Sequence, residues 1–393
     1  MIRHKNISNT TYPLVKRHGI FRRELSLWQA VALIVSGTIG AGVLGIPYAV
    51  AKVGLIPGII YIAVMGVVMM MLNLLLAEVS NYTTKDAQLV GIAEKYLGQS
   101  AKWFMSVLFY ASLVGALVIY IIGEGNALTA LFGGHPFIWS IVFFSFMSFL
   151  ILGGLKTIKT VELVLTVAIL VVILIIAGWA APHIQPAAWG YIDLSALLFP
   201  YGIILFAFHG TNAIPEARLL LKRKPRTFQK AIVLAAAITM VSYVLFAFIV
   251  VSVTGVNTTE VATVGLGEVI GPSMIFFGNL FAVLAMGTSY LLIGLSMRDS
   301  LHWDLHVKKT AATLLTLFIP LAIFFLGAKQ FIGVMDFVGG VFMSLEAIML
   351  LIIYLVVYKK LRLKHPGVRL VVVYILGAIF TFGAVQSIIH AFI

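Results

Sequence analysis

The sequence predicts an all-α polytopic membrane protein with eleven transmembrane helices. Of its 393 residues, 61% are hydrophobic and only 10% are charged, whereas soluble domains carry charge on about a quarter of their residues. Apolar runs of about twenty residues, long enough to cross a bilayer as a helix, recur along nearly the whole chain. Two of these runs are interrupted by glycine and proline, and the interruptions predict how the helices are organised.

The apolar runs predict the order of the elements. A polar tail, residues 1–25, comes first, and the first apolar segment after it is too long for a cleavable signal. We expect a first five-helix repeat over 26–181, an inverted second repeat over 193–357, and a loop with helix 11 over 358–393. The predicted spans are 26–51, 55–79, 102–123, 137–155, 159–181, 193–219, 230–254, 271–297, 309–327, 331–357 and 368–391.

The distribution of positive charge predicts the orientation. With the N-terminus in the cytoplasm, all but two of the 27 Lys and Arg residues fall on the cytoplasmic side, the exceptions being Lys52 and Lys329. Cytoplasmic loops are expected to carry this excess, so we expect a multi-pass membrane protein with its C-terminus outside, and the short tails favour the plasma (inner) membrane. Because the net charge of +13 sits in short loops, it does not indicate nucleic acid. The absence of cysteine excludes disulfides and thiol nucleophiles.

The first apolar run is interrupted by SGTIGAGVLGIPYAV, residues 36–50. Relative to Ala, Gly costs a helix about 1 kcal/mol and Pro about 3 kcal/mol. The sixth run is interrupted by LFAFHGTNAIPEARLLL, residues 205–221. In each run a glycine is followed five residues later by a proline, Gly42 by Pro47 and Gly210 by Pro215. Each proline is expected near the start of a second half-helix, where its missing N–H costs little.

These paired interruptions predict an inverted repeat with broken helices 1 and 6. Because five spans separate the breaks, the two halves enter the membrane from opposite sides. Interrupted spans in corresponding positions of inverted halves are typical of secondary transporters, with the substrate site at the breaks. The alternative is that the glycines only allow close helix packing.

A broken helix makes its backbone available to a ligand, which is tolerated at membrane depth where it lines a cavity. The N–H groups of Gly40, Ala41 and Gly42 would begin a half-helix and suit a carboxylate. The carbonyl groups of the segment 206–208 (Phe-Ala-Phe) would end the first half of helix 6 and suit an ammonium group. Together they match the zwitterion of an α-amino acid, and glycine is needed because a Cβ would hold the substrate away.

Four segments resemble a known family. GTIGAGVLGIPYA and FAFHGTNAIPE resemble the amino acid–polyamine–organocation superfamily, which has the leucine-transporter-type fold. With TSYLLIGLSMRDSL (288–301) and YIIGEGNAL (120–128), they are most similar to the branch of aromatic and hydroxy amino acid permeases and amino acid/auxin permeases. The resemblance implies a carboxylate site at the first break and an amine site at the carbonyls of Phe206 and Phe208. The predicted substrate-binding residues are Thr38, Gly40, Ala41, Gly42, Tyr120, Phe206, Ala207, Phe208, His209, Thr211 and Asn212.

The resemblance also implies a position for a coupling sodium ion, between the first break and span 8. Its candidates are Ser36, Gly37, Thr288 and Ser289, since a hard cation takes oxygen ligands. The alternative is that the two hydroxyls on span 8 bond back to their own helix. No other metal and no cofactor is expected.

Several ionisable residues lie within predicted spans, where such groups are functional candidates by default. His209 and Glu346 are candidates for carrying a coupling proton, and each has a structural alternative, satisfying backbone groups or bonding between helices. Glu124 and Asp336 would form an outer gate or be solvated at the interface. Glu78 is expected to form an ion pair near the inner end of span 2.

These features predict a secondary active symporter for neutral, hydrophobic or aromatic L-amino acids, working by alternating access on an H⁺ or Na⁺ gradient. The expected partners are this substrate and the lipid bilayer, with no obligate protein partner and no nucleic acid. The alternatives within the transporter class are transport of another small zwitterion or of an organic cation. The alternatives from other classes are a channel and a membrane-embedded enzyme. The sequence contains no phosphate-binding loop for ATP hydrolysis.

Overall fold

The computed structural model describes residues 14–17, 20–23, 26–83, 88–153, 158–221, 224–327, 330–361 and 366–392. Helices dominate these residues, because a helix satisfies its backbone hydrogen bonds within one segment. The first helices are α1 (Leu27–Thr38), α2 (Gly42–Val53), α3 (Leu55–Asn81), α4 (Leu89–Leu97), α5 (Gln99–Phe132), α6 (Pro136–Gly153), α7 (Ile158–Ala180) and α8 (Pro200–Ala207). They are followed by α9 (Ala213–Leu220), α10 (Pro225–Thr254), α11 (Ala262–Ile270), α12 (Pro272–Trp303), α13 (Lys309–Phe325), α14 (Phe331–Phe337), α15 (Ser344–Leu361) and α16 (Pro366–Phe392).

Two short strands precede the helices. They are β1 (Leu14–Arg17) and β2 (Ile20–Arg23), which pair antiparallel with Leu14 opposite Arg23. The sequence predicts a polar tail in this region and does not predict the pairing. Each strand has only 4 residues, the lower limit at which alternation of apolar and polar residues indicates a strand.

The first predicted span is a broken helix. Ser26 caps α1 by accepting a hydrogen bond from the Gln29 N–H, and the Gln29 side chain accepts one from the Ser26 N–H at 3.0 Å. The axis bends by 59° between α1 and α2, at the glycines that the sequence singled out. Pro47 lies inside α2, in its second turn rather than its first.

The sixth predicted span is also broken, into α8 and α9. Pro200 opens α8, where its missing N–H has no partner to lose. Pro215 lies in the first turn of α9, as expected. The two breaks therefore fall where the paired glycines and prolines predict them.

Among the described residues, seven helical segments are long and apolar enough to cross a membrane, or eight if the bent pair α1–α2 counts as one span. The shorter apolar helices Pro136–Leu152 and Lys309–Phe325 coincide with predicted spans 4 and 9. Helices α4 and α11 were not predicted. Each has 9 residues, too few to cross the bilayer core.

A π-helical segment, Val338–Met343, connects α14 to α15 and packs on α8. A Cβ added to Gly339 would overlap the Gly202 carbonyl oxygen of α8, so the two backbones are in contact. Tyr201 and Ser344 share a hydroxyl hydrogen bond of 2.8 Å across the same contact. This packing carries the start of α15, including Glu346, to the break between α8 and α9.

Replacing Gly339 with Ala tests this contact. Overpacking a tight helix contact costs about 1–3 kcal/mol, so we expect Gly339→Ala to lower the melting temperature in detergent, measured by intrinsic fluorescence. Gly178→Ala in α7 is the matched control, because nothing lies within 4 Å of its added Cβ. That control should unfold at or above the wild-type temperature, since Ala is the better helix former. Equal melting temperatures for the two variants would contradict the contact.

Candidate functional site

The break in the first span leaves backbone N–H groups without backbone acceptors at the start of α2, although the Ala41 N–H reaches the Tyr120 hydroxyl. Helix α1 ends at Thr38 and α2 begins at Gly42. For the N–H groups of Gly40, Ala41 and Gly42, no backbone carbonyl of the described residues is an acceptor. Such groups carry the positive end of a helix dipole and favour an anion.

The break in the sixth span satisfies part of its own backbone. The Phe206 carbonyl accepts a hydrogen bond from the His209 N–H at 3.1 Å, and the Phe208 carbonyl accepts one from the Gly210 N–H at 2.9 Å. A carbonyl oxygen has two lone pairs, so the Phe208 carbonyl keeps an acceptor position, whereas the Phe206 carbonyl is also approached by the Phe208 N–H. Phe206 and Phe208 are nearly fully buried. These carbonyls form the negative end of α8.

The two breaks are in direct contact. A Cβ added to Gly42 would overlap the Cα and Cβ atoms of Ala207. A Cβ added to Gly210 would overlap the Thr38 hydroxyl, which itself donates to the Ile34 carbonyl at 2.7 Å. Glycine is therefore required here for close approach of two backbones. The close-packing interpretation and the binding-site interpretation are compatible, because the packing brings the freed groups together.

Tyr243, from α10, bonds to both broken helices. Its hydroxyl donates a hydrogen bond to the Ala207 carbonyl at 2.7 Å. It also donates a longer one to the Thr38 carbonyl, at 3.2 Å. The side chain is fully buried and makes an edge-on ring contact with Phe208. Sequence reasoning missed this residue, because a tyrosine in an apolar run gives no indication of what its hydroxyl reaches.

Tyr120, from α5, reaches the first break. A Cβ added to Gly40 would overlap the Tyr120 hydroxyl and would lie 3.3 Å from the Ser289 hydroxyl oxygen. The Ala41 backbone also interacts with the Tyr120 hydroxyl. The structure thus brings together four predicted residues from the first break, α5 and α12, namely Gly40, Ala41, Tyr120 and Ser289. The tyrosine ring covers the side of the break that faces α5 and α12.

His209, Thr211 and Glu346 form a buried cluster beside the second break. The Thr211 hydroxyl donates to Oε1 of Glu346 at 3.2 Å and lies 3.1 Å from Nε2 of His209. The same carboxylate oxygen is 3.5 Å from Nε2. Oε2 of Glu346 and Oδ1 of Asn212 are buried with no hydrogen-bond partner among the described residues. Two residues that the sequence singled out separately are therefore neighbours.

The predicted sodium ligands are found with local partners. The Ser36 hydroxyl donates to the Leu33 carbonyl at 3.1 Å, and the Thr288 hydroxyl donates to the Leu284 carbonyl at 2.9 Å. Gly37 faces Ala213 of α9, whose Cβ would lie 2.9 Å from an added Cβ. The back-bonding alternative, which concerned Thr288 and Ser289, describes Thr288, whereas the Ser289 hydroxyl is hydrogen-bonded to Tyr120 of α5. In the described part of the chain, no three His, Asp or Glu side chains are grouped as metal ligands.

Glu124 is more deeply buried than the sequence suggested. Helix α5 continues to Phe132, beyond the predicted end at residue 123, so Glu124 lies inside the helix and not at its end. It is 0% exposed, and neither carboxylate oxygen has a partner among the described residues. Its Oε1 would be 3.5 Å from a Cβ on Gly287 of α12. Solvation at the interface is therefore wrong for this residue.

The other two acids have basic partners. Oδ2 of Asp336 lies 3.6 Å from Nδ1 of His390. Glu78 accepts a hydrogen bond from Arg369 at 2.6 Å, which confirms the predicted ion pair near the inner end of span 2. Asp336 and Glu124 thus have separate surroundings, which gives no support to an outer gate formed by the two.

Comparison with solved structures identifies the architecture. The chain resembles MhsT in complex with L-phenylalanine, with a TM-score of 0.68 and 15% identity, over 94% of this chain and 100% of that one. It also resembles the Eremococcus coleocola manganese transporter, with a TM-score of 0.66 and 14% identity, over 97% of this chain and 91% of that one. At these identities the likeness shows the fold alone, and it agrees with the leucine-transporter-type fold that the sequence resemblance implied.

Comparison with curated proteins finds bacterial transporters along most of the chain. Glutamine transporter 2 of Aliivibrio fischeri is 24% identical over 349 residues, which are 84% of this chain and 89% of that protein. Tyrosine-specific transport system 1 of Haemophilus influenzae is 24% identical over 391 residues, covering 89% of this chain and 94% of that protein.

A family model decides the class of protein. The model of the tryptophan/tyrosine permease family matches residues 23–390, which is nearly the whole chain and includes both breaks. A match of this extent favours transport over the membrane-embedded enzyme that the sequence left as an alternative. The chain belongs to the tryptophan/tyrosine permease family of membrane transporters.

Proposed function

We propose that this permease is a secondary active symporter for neutral, hydrophobic or aromatic L-amino acids, and that it works by alternating access. The observation that carries the proposal is the contact between the two breaks. It holds the N–H groups at the start of α2, which have no backbone acceptor, beside the carbonyl groups at the end of α8. One positive and one negative helix end side by side match the carboxylate and ammonium groups of a zwitterion.

We propose eleven spans arranged as two inverted repeats, spans 1–5 and 6–10, followed by span 11. The contacts between the breaks are reciprocal, which supports this arrangement. The glycine of each break lies against the end of the other helix's first half, Gly42 against Ala207 and Gly210 against Thr38. A pseudo-two-fold axis in the membrane plane would produce this reciprocity. The lysine and arginine distribution supports a cytoplasmic N-terminus. We propose a plasma-membrane location, which the two bacterial relatives support.

The surroundings of the breaks support a substrate with a neutral side chain. Aromatic side chains border them, namely Tyr120, Phe206, Phe208 and Tyr243, and these are suited to an apolar or aromatic group. The acid at the site, Glu346, is already engaged by Thr211. The relatives' names, which refer to tyrosine and to glutamine, also denote neutral amino acids.

We propose that a proton, rather than sodium, couples transport to the gradient. Glu346 is fully buried beside His209, and one of its carboxylate oxygens has no partner among the described residues. A buried carboxylate of this kind can exchange a proton when the site opens to water. The hydroxyls of Ser36 and Thr288 form hydrogen bonds within their own helices, which disfavours them as sodium ligands. Sodium coupling is the alternative, and the uptake experiment distinguishes it from proton coupling.

Uptake by purified protein in proteoliposomes tests the proposed function. Radiolabelled tyrosine, tryptophan, phenylalanine and glutamine are each offered under an imposed proton gradient and, separately, under an imposed sodium gradient. We expect saturable, stereoselective accumulation of at least one of them under the proton gradient. Accumulation under the sodium gradient alone would overturn proton coupling. No accumulation of any amino acid under either gradient, with folded protein in tight liposomes, would overturn the substrate class.

Glu346→Gln tests the role of the carboxylate. The amide keeps an oxygen to accept the Thr211 hydrogen bond but cannot take up or release a proton. We expect accumulation driven by the proton gradient to fall at least tenfold, while exchange of internal for external amino acid continues. Glu268→Gln on the exposed face of α11 is the control and should transport normally. Unchanged pH dependence of uptake in the Glu346 variant would exclude this residue as the proton carrier.

Gly40→Ala tests the backbone site directly. Its Cβ would overlap the Tyr120 hydroxyl beside the break, so we expect kcat/KM for uptake to fall at least tenfold, about 1.4 kcal/mol. Adding Tyr120→Phe removes the overlapped oxygen and should restore part of the loss. Gly377→Ala in α16, where the nearest atom lies 4.0 Å from the added Cβ, is the control. A Gly40 variant with wild-type kinetics would argue against a substrate carboxylate at this break.

A further inference from the structure

A groove away from the two breaks contains charged and apolar residues in separate halves. It has a volume of about 670 Å³ and lies between the end of α3 and the starts of α10 and α16. Arg226, Lys230 and Arg369 line it together with one acid, Glu78. The remaining wall is largely apolar and includes Leu74, Leu75, Val233 and Leu234.

The two halves are arranged along the axis of α10. Arg226, Lys230, Val233 and Leu234 follow one another at helical spacing, so they share one face of the helix. At about 1.5 Å of rise per residue, the groove passes from cationic to apolar over about 12 Å. The charged end is at the start of α10, where the membrane surface is expected, and the apolar end points toward the bilayer core.

The charges in the groove do not cancel. Both carboxylate oxygens of Glu78 are occupied, one by Arg369 at 2.6 Å and the other by the Tyr354 hydroxyl at 3.1 Å. Arg226 and Lys230 are exposed, and no acidic side chain of the described residues pairs with either. Two cations therefore remain available beside an apolar wall of which Val233 is 41% exposed.

We propose that this groove binds one anionic phospholipid. The phosphate group would lie between Arg226 and Lys230, and an acyl chain would lie along Leu75, Val233 and Leu234. Basic pockets between transmembrane helices at the cytoplasmic surface bind anionic head groups, and the proposed orientation puts this groove in that leaflet. A soluble phosphate would use only the cationic half, whereas a lipid uses both halves.

The site has a direct structural connection to the breaks. Helix α10 carries the proposed phosphate ligands at its start and Tyr243, which bonds to both broken helices, further along. A lipid that binds the folded groove and not the unfolded chain raises stability by mass action. Binding can therefore be measured without any transport assay, so failure of this proposal is distinguishable from failure of the proposed function.

The test uses full-length protein, delipidated in a neutral detergent, and two readouts, thermal unfolding and native mass spectrometry. Phosphatidylglycerol should raise the melting temperature in a saturable way and should remain bound as a single lipid. Phosphatidylcholine and soluble glycerol 3-phosphate, at equal concentration, should do neither. Stabilisation by glycerol 3-phosphate equal to that by phosphatidylglycerol would overturn the lipid assignment in favour of a simple anion site.

Variants separate this groove from general attraction of lipid to a basic surface. The double variant Arg226→Gln with Lys230→Gln should weaken phosphatidylglycerol binding at least tenfold. The control, Lys359→Gln with Lys360→Gln, removes the same charge from the exposed end of α15 and should bind normally. Val233→Gln, which changes no charge, should also weaken lipid binding. The proposal would be overturned if the double variant and its control lose lipid binding equally. It would also be overturned if neither the double variant nor the Val233 variant loses lipid binding.

Discussion

Backbone groups in an apolar interior must find partners, because no water is present to replace a lost helical hydrogen bond. Two helices of this permease are interrupted in that interior, and the surrounding structure is arranged to satisfy what the interruptions expose. Tyr243 donates to the carbonyl ends of both α1 and α8. The contact of Gly42 with Ala207 brings the start of α2 against the end of α8. The N–H groups at the start of α2 that have no backbone acceptor therefore lie beside the carbonyl end of α8, which is where we propose that the substrate binds.

The same arrangement connects the proposed substrate site to the proposed proton site. Thr211 lies in the second break and donates to Glu346, which the π-helical segment before α15 carries to this position. π-helical turns within α-helices frequently occur at functional sites. A substrate that moves the chain around Thr211 would change the hydrogen bonding of Glu346, and protonation of Glu346 would change the position of Thr211. Coupling between two such ligands is reciprocal by thermodynamic necessity.

Sequence alone predicted the local helix breaks well and the long-range contacts poorly. The glycine and proline of each interruption were enough to predict both breaks, because their cost in a helix is intrinsic to the residue. The proximity of Glu346 to His209 and the role of Tyr243 could not be predicted, since periodicity within one helix does not reveal which helices face each other. The predicted third span ends at residue 123, which places Glu124 at a helix end, whereas α5 continues to Phe132 and buries it.

In the proposed substrate site, the backbone of the two breaks binds both ends of a zwitterion. The most direct test of this binding is competition, in detergent, between the preferred radiolabelled amino acid and two analogues, the amine that lacks its carboxylate and the acid that lacks its ammonium group. Removing a charged partner costs about 1.5–3 kcal/mol, so each analogue should bind at least tenfold more weakly than the parent. If either analogue competes as well as the parent amino acid, one of the two helix ends is not a ligand and the account is contradicted.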